Sequence, residues 1–343
     1  MERVVDPLAP AAQVSHAKSQ LVAFVVMVIA LAIAPFFVYP VFLMKALCFA
    51  LFACAFNLLV GYGGLLSFGH ALFFGWAAYA AAHVAKVGAV SLPYPVGWRA
   101  TQWLVVPLPP LTPEVAILVG AATAALLGLL AGWLAIRRQG IYFAMITLAL
   151  AQMMYFFALQ ASFTGGEDGI QGVPRGRLFG VVDLSNETAM YATVVVVFLA
   201  GFSAIYRIIH SPFGEVLKAI RENEPRAISL GYKTERYKLL AFVLSATLAG
   251  LAGATKAIVF QLASLTDVHW SMSGEVVLMT LVGGLGTIFG PVIGAVIIVG
   301  MENYFASFGE WVTVIQGVIF VVCVLLFRRG VVGEIAHLLR IRL

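Results

Sequence analysis

Apolar runs of membrane-spanning length, separated by short polar breaks, make up most of this chain. A helix crosses a bilayer with roughly 20 apolar residues, and runs near that length occur at 21–38, 42–60, 65–85, 115–136, 141–157, 189–206, 239–260 and 311–327. A further apolar region, 274–304, is interrupted by Gly283-Gly284-Leu285-Gly286-Thr287-Ile288-Phe289-Gly290-Pro291 and reads as two short helices joined by a glycine turn. The pattern therefore predicts an all-α integral membrane protein of about ten transmembrane helices, some of them short or glycine-broken. A tail over 1–20 precedes the membrane domain, 21–330, and a second tail over 331–343 follows it.

The basic residues set the direction of the spans. Arg137-Arg138 follows the fourth run, Arg328-Arg329 the last, and seven Lys/Arg fall within 207–238. Positively charged loops stay on the cytoplasmic side. Ten spans with both termini inside put 15 of the 21 Lys/Arg in the cytoplasm, leave Lys45, Lys86, Arg99, Arg175 and Arg177 outside, and place Lys256 within a span. Nine spans would move Arg328 and Arg329 outside, so parity favours ten. Two long outer loops, 86–114 and 161–188, are rich in Gly and Pro and could receive an external partner.

Composition agrees and removes other classes. With 62% hydrophobic and 11% charged residues, against about 45–50% and 25% for soluble domains, a single water-soluble globule is excluded. The net charge of +5 sits beside apolar runs and reads as a topology signal, not as a nucleic-acid surface. Cys48, Cys54 and Cys323 lie inside apolar runs without metal-ligand spacing and read as small core hydrophobes. The first 20 residues carry acids and prolines, unlike the basic start of a cleaved signal, so they are expected to remain as a cytoplasmic tail.

Two interrupted segments resemble one another: Gly64-Leu65-Leu66-Ser67-Phe68-Gly69 and Gly284-Leu285-Gly286-Thr287-Ile288-Phe289-Gly290. Unwound backbone is tolerated at membrane depth only where it lines a cavity or packs on protein, so paired glycine breaks point to a translocation pathway. Close helix packing through small residues is the equal alternative. Polar residues within or at the ends of apolar helices are the pathway candidates: Asn57, Ser67, His70, Thr147, Gln152 and Glu275. Gln152 has a second reading, a hydrogen bond to a neighbouring helix. Lys256 is expected to snorkel to the outer surface, Glu275 to occupy a helix first turn and Glu302 to lie near a span end.

The segment 210–238 reads as a folded amphipathic element. Ser211 suits an N-cap with Pro212 at the first helical position, and Val216, Leu217 and Ile220 share a face that Glu215, Lys218, Arg221 and Glu222 avoid. Pro225 stops this helix and starts another, which Gly231 ends in the left-handed conformation. Two short helices form either a shaped docking surface or an interfacial pair lying on lipid.

The stretch 211–238, together with 57–71 and Ser273-Gly274-Glu275-Val276-Val277-Leu278-Met279, resembles the permeases of branched-chain amino-acid ABC importers, of the LivM type; the likeness runs from about 42 to 330. The resemblance implies a bacterial inner-membrane, multi-pass subunit that pairs with a second related permease, two cytoplasmic ATPases and an external solute-binding protein. ATP and Mg would be held by the ATPases, with no cofactor on this chain. Phe213, Gly214, Glu215, Ala219, Arg221, Glu222, Asn223, Ala227 and Gly231 would then couple to the ATPases. Gly231 stands four residues after Ala227, as in the Glu-Ala-Ala-x-x-x-Gly pattern, whereas Pro225 and Arg226 replace its first two residues.

No Gly-Lys dipeptide occurs, so the chain has no Walker phosphate loop and is not its own ATPase; His-Glu-x-x-His and Gly-x-Ser-x-Gly are absent too, against an intramembrane enzyme. The alternatives are a gradient-driven carrier or channel for a small polar solute, and a permease of the same family for urea, amides or other amino acids.

Overall fold

The protein was analysed as a computed structural model, which describes residues 9–86, 89–96, 100–107, 112–138, 140–306, 309, 311, 314–315, 317–318, 321–322 and 330–338. The expected span 311–327 and the pair Arg328-Arg329 lie for the most part outside these residues. So does the start of the N-terminal tail.

The chain folds as a bundle of helices: α1 (Ala9–Ile33), α2 (Pro40–Asn57), α3 (His70–Lys86), α4 (Pro113–Ala135), α5 (Ile141–Gln160), α6 (Glu187–Ile209), α7 (Pro212–Glu222), α8 (Glu224–Ser229), α9 (Thr234–Phe260), α10 (Trp270–Gly283), α11 (Gly290–Phe305) and α12 (Gly330–Leu338). Among the described residues, five helices are long and apolar enough to cross a membrane: α2 with its extension to Tyr62, α4, α5, α6 and α9; Gln20–Phe36 and α11 are shorter apolar helices. Strands are confined to short antiparallel pairs: β1 (Ala89–Val96) with β2 (Ala100–Pro107), β3 (Ile170–Gln171) with β6 (Leu262–Ala263), and β4 (Arg177–Leu178) with β5 (Val182–Asp183).

At the centre runs α2, buried without interruption from Ala46 to Leu59 and in contact with α6, α9, α10 and α11. A helix apolar all round is expected in such a position. Beside it, α3, α4 and α9 pack through small residues: Gly120 lies against Ala254, Gly128 against Ala246 and Gly250 against Ala124. In lipid, where apolar surface gives no net drive to associate, such close approach supplies the packing contacts that hold helices together. By contrast α5 shows Ile141, Tyr142, Met145, Met153, Phe156 and Phe157 on its outside, as a helix facing lipid or a partner does.

Two sequence expectations differ from the structure. The third run begins its helix at His70, not at 65, and Leu65–Gly69 stays irregular. After the membrane domain, α12 packs on α10 and α11, with Val332 buried. Glu275 is half-buried in the second turn of α10, not in its first.

Candidate functional site

The two glycine breaks, separated by more than 200 residues, meet at the end of the bundle that carries α7 and α8. The helix of α2 widens into a π-helical turn over Leu58–Tyr62, the kind of irregularity that marks functional positions in helices. Asn57, at its edge and 2% exposed, reaches across to the second break. Its Nδ2 donates to the Thr287 carbonyl at 2.8 Å, and its Oδ1 accepts from the Gly286 N–H at 3.0 Å. Both ends of one carboxamide are thereby satisfied by backbone that no helix could pair.

Gly61 makes that approach possible. A Cβ at this position would fall 2.2 Å from Asn57 Oδ1 and 2.8 Å from the Gly286 nitrogen. The Gly61 carbonyl accepts a hydrogen bond from Arg221 Nη1, which comes from the last turn of α7. Arg221 therefore connects α7 to the first break, and Asn57 connects the first break to the second.

The other candidates gather partly around this junction. Ser67 is fully buried and caps the approach to α3, its Oγ accepting from the Gly69 N–H at 3.2 Å. Thr147 holds Phe68, accepting from its N–H at 3.2 Å. His70 is fully buried, surrounded edge-on by Phe56, Phe73 and Phe242, with Nε2 2.8 Å from Ser245 Oγ. Ser245 donates to the Ala55 carbonyl at 2.5 Å, so its oxygen accepts from the imidazole and Nε2 carries the proton. Gln152 and Glu275 are half-buried on α5 and α10, and no described hydrogen bond joins either to this group.

Three cavities open at the same end. One of about 450 Å³ is apolar and runs from Gly64, Leu65 and Phe68 to Gly140, Phe143 and Ala144. A second of about 480 Å³ is polar and is lined by Tyr62, His210, Lys218, Arg221, Glu222 and Gly286. A third of about 200 Å³ lies between Gly64, Gly140, Arg221, Glu224 and Lys238. All three border the first break, α7 or both.

The element formed by α7 and α8 folds as its pattern requires. Ser211 accepts from the Gly214 N–H at 3.4 Å, Pro212 is the first helical residue, and Leu217 and Ile220 are buried. Asn223 caps α8 through the Arg226 N–H at 3.1 Å, and Gly231 ends it with φ of +89°. Phe213 stacks on Tyr237 at 5.7 Å, Glu215 pairs with Lys218 at 2.8 Å, Ala219 and Glu222 are exposed, and Ala227 is buried. Gly214 is structural: a Cβ there would lie 2.2 Å from the Ile209 carbonyl oxygen. A partly buried pair, Lys238 with Glu224 at 2.6 Å, fastens α8 to the start of α9.

Sequence reasoning missed several residues. Ile228, Leu230 and Tyr232 form an exposed apolar edge on α8 and the turn after it; the repeated apolar spacing of a span has no counterpart here to reveal them. Ser273 accepts from the Ala71 N–H at 2.9 Å and so serves the start of α3 from α10. Lys256 does not snorkel: it pairs with Asp267, which is 1% exposed. Glu302 pairs with Lys45 at 3.0 Å. Among the described residues, no group of three or more His, Cys, Asp or Glu could hold a metal ion.

Residues 39–324 match the family described as the permease component of branched-chain amino acid transport systems. The high-affinity branched-chain amino acid transport system permease protein LivM of Salmonella typhimurium is 28% identical over 285 residues, covering 76% of this chain and 62% of that protein. LivM of Escherichia coli K12 is 26% identical over 284 residues with the same coverage. The ribose import permease protein RbsC of Bacillus subtilis is 28% identical over 197 residues, 52% of this chain and 58% of its own length. The chain thus spans about three fifths of the length of these curated relatives. No solved structure matches the chain.

Proposed function

We propose that this chain, which belongs to the permease-component family of branched-chain amino acid transport systems, is the LivM-type subunit of an importer that moves leucine, isoleucine and valine inward with ATP hydrolysed by partner subunits. Its partners in this reading are a second related permease, two cytoplasmic ATPases that hold the ATP and Mg, and an external solute-binding protein. It sits in the bacterial inner membrane with both termini in the cytoplasm. The chain performs no covalent chemistry in this scheme.

The observation that carries the reading is the hydrogen bond from Arg221 to the Gly61 carbonyl. It gives α7 a direct hold on the π-helical turn that ends α2 beside the first break, which is what an externally powered permease needs and a gradient-driven carrier does not. The apolar edge of Ile228, Leu230 and Tyr232 supports docking of a protein on that element. A displacement of α7 and α8 by the ATPases would act on Gly61 through Arg221 and on the second break through Asn57. Opening and closing of the inner end would follow as rigid-body movement between two states.

Leucine uptake into liposomes holding the chain with its presumed partners tests this reading. ATP-dependent uptake that an ionophore leaves untouched is expected. ATP-dependent activity without leucine movement would shift the cargo to urea, amides or another amino acid; uptake by this chain alone, collapsed by the ionophore, would establish the gradient-driven alternative.

A further inference from the structure

The outer half of the bundle gathers four charged side chains from four separate stretches of sequence. Lys45 of α2 pairs with Glu302 of α11, and Lys256 of α9 with Asp267 in the turn before α10. The two ammonium groups share one aromatic neighbour, lying 5.8 and 5.7 Å from the Phe49 ring centre, and Lys256 is also 5.7 Å from that of Phe74.

Around Lys256 the polar groups outnumber their partners. Asp267 is 1% exposed, and only its Oδ1 is used; Oδ2 is buried without a hydrogen bond. The Tyr79 hydroxyl and Trp76 Nε1 are in the same condition. The Tyr79 hydroxyl lies within electrostatic reach of Asp267. The backbone of Asp267 and Val268 lies so close to α3 that a Cβ on Gly75 would fall 2.8 Å from the Asp267 carbonyl carbon. Tyr79 is four residues on, one turn along the same face, and its ring is 6.1 Å from that of Trp76.

A buried carboxylate oxygen and a buried hydroxyl without partners are expensive to leave in place. Here they flank an ion pair, with apolar walls in Phe49, Phe74 and Val268. A zwitterionic α-amino acid carries one charge of each sign on neighbouring atoms. Laid against an ammonium-carboxylate pair in the opposite sense, it closes a ring of four alternating charges without breaking that pair. Its ammonium then satisfies the idle carboxylate oxygen, and its carboxylate gains a hydroxyl donor.

We infer that Lys256, Asp267 and Tyr79 form a head-group site for a zwitterionic amino acid in the outer half of the pathway, with the ligand's ammonium on Asp267 Oδ2 and its carboxylate on Lys256 and Tyr79. The inference rests on the importer reading above. The site lies at the opposite end of the bundle from the three cavities, next to the β3–β6 pair. It is loaded when that end parts.

The test uses the membrane subunits with their ATPases in nanodiscs, without solute-binding protein. L-leucine is the probe; leucinol and 4-methylpentanoate, each lacking one charged end, are the controls. Leucine is expected to raise the thermal unfolding midpoint and the controls to leave it unchanged. Tyr79→Phe removes only a buried, unpaired hydroxyl, so it should keep or raise the unliganded midpoint and bind leucine about tenfold more weakly. The exchange of Lys256→Asp with Asp267→Lys preserves an ion pair and should restore stability relative to either single variant, without the leucine response.

Equal leucine affinity in wild type and Tyr79→Phe, a leucine response in the exchanged pair, or no response in the wild type would overturn the site. Should the exchanged pair fail to fold, Tyr79→Phe decides alone. Leucine uptake that is ATP-dependent and unchanged in Tyr79→Phe would leave the importer standing and the site wrong. Leucine binding that needs Tyr79, in a transporter that ATP does not drive, would leave the site standing and the importer reading wrong.

Discussion

The side chain of Asn57 donates to the carbonyl of Thr287 at 2.8 Å and so ties the end of the second helix to a turn 230 residues later. With the return bond from the Gly286 N–H at 3.0 Å, it is the clasp between the two glycine breaks. Its loss strands a backbone donor and an acceptor away from water, which costs about 1–3 kcal/mol per group. Asn57→Leu should therefore lower the unfolding midpoint and strongly reduce uptake. Asn57→Asp keeps the acceptor, loses the donor and sets a carboxylate against the Thr287 carbonyl, so it should be no milder. Thermal unfolding in nanodiscs, run beside the uptake assay, checks both.

Gly61 and Gly231 should respond differently to the same small change. A Cβ at Gly61 meets Asn57 Oδ1 at 2.2 Å, whereas one at Gly231 meets nothing within 4 Å and suffers only from the backbone φ of +89°. Gly231→Ala is expected to cost roughly 1 kcal/mol and to preserve uptake. Gly61→Ala must displace the clasp, and uptake should fall by a larger factor than stability. Comparable uptake in the two variants would mean that the clasp is not under functional constraint.

Lys45 and Glu302 are partly exposed, at 33% and 21% of their side chains. Removing one partner should cost more than the ~1 kcal/mol of a surface pair and less than the ~3–5 kcal/mol of a fully buried one. Lys45→Met and Glu302→Gln are each expected to destabilise, and the double variant to recover part of the loss. The thermal unfolding midpoints of the four proteins form the cycle that measures it.

The exposed edge of Ile228, Leu230 and Tyr232 should carry the ATPase contact. Ile228→Ser combined with Leu230→Ser removes apolar surface without touching the core, so insertion and folding should be preserved. Retention of the ATPase subunits on affinity purification should drop about tenfold or more, on a scale of roughly 1–2 kcal/mol per large apolar side chain. Full retention would place the contact elsewhere on the element.

Much of this arrangement is legible in the amino-acid sequence, for identifiable reasons. Helix stops and starts depend on local chemistry, and the Ser211 cap, the Pro225 break and the left-handed Gly231 all fall where that chemistry puts them. The likeness between the breaks around Gly64 and Gly284 points to an internal repeat and a pathway, not to their contact, and Asn57, Ser67, His70 and Thr147 lie around the first. Long-range pairings are another matter. Lys256 near the end of an apolar run reads as a snorkelling residue because nothing local announces Asp267, which lies in a turn where an acid normally meets water. Likewise Arg221 reads as one charge on the polar face of an amphipathic helix; only the packing of α7 under the π-helical turn gives it the Gly61 carbonyl. Glu275 and Gln152 read as isolated polar residues in apolar helices, a pattern that does not say which face of the helix turns inward.

Arg221 is predicted to transmit movement of α7 and α8 to the first glycine break. Arg221→Met removes the guanidinium and keeps much of the aliphatic stem, leaving α7, its Ser211 cap and the apolar edge of α8 in place. The decisive measurement is the amount of leucine taken up per ATP hydrolysed by the reconstituted transporter carrying this variant. We predict that ATP hydrolysis persists while uptake per ATP falls at least tenfold. Uptake per ATP equal to that of the wild type would contradict the account, since the force would then reach the pathway by a route that bypasses the bond between Arg221 and Gly61.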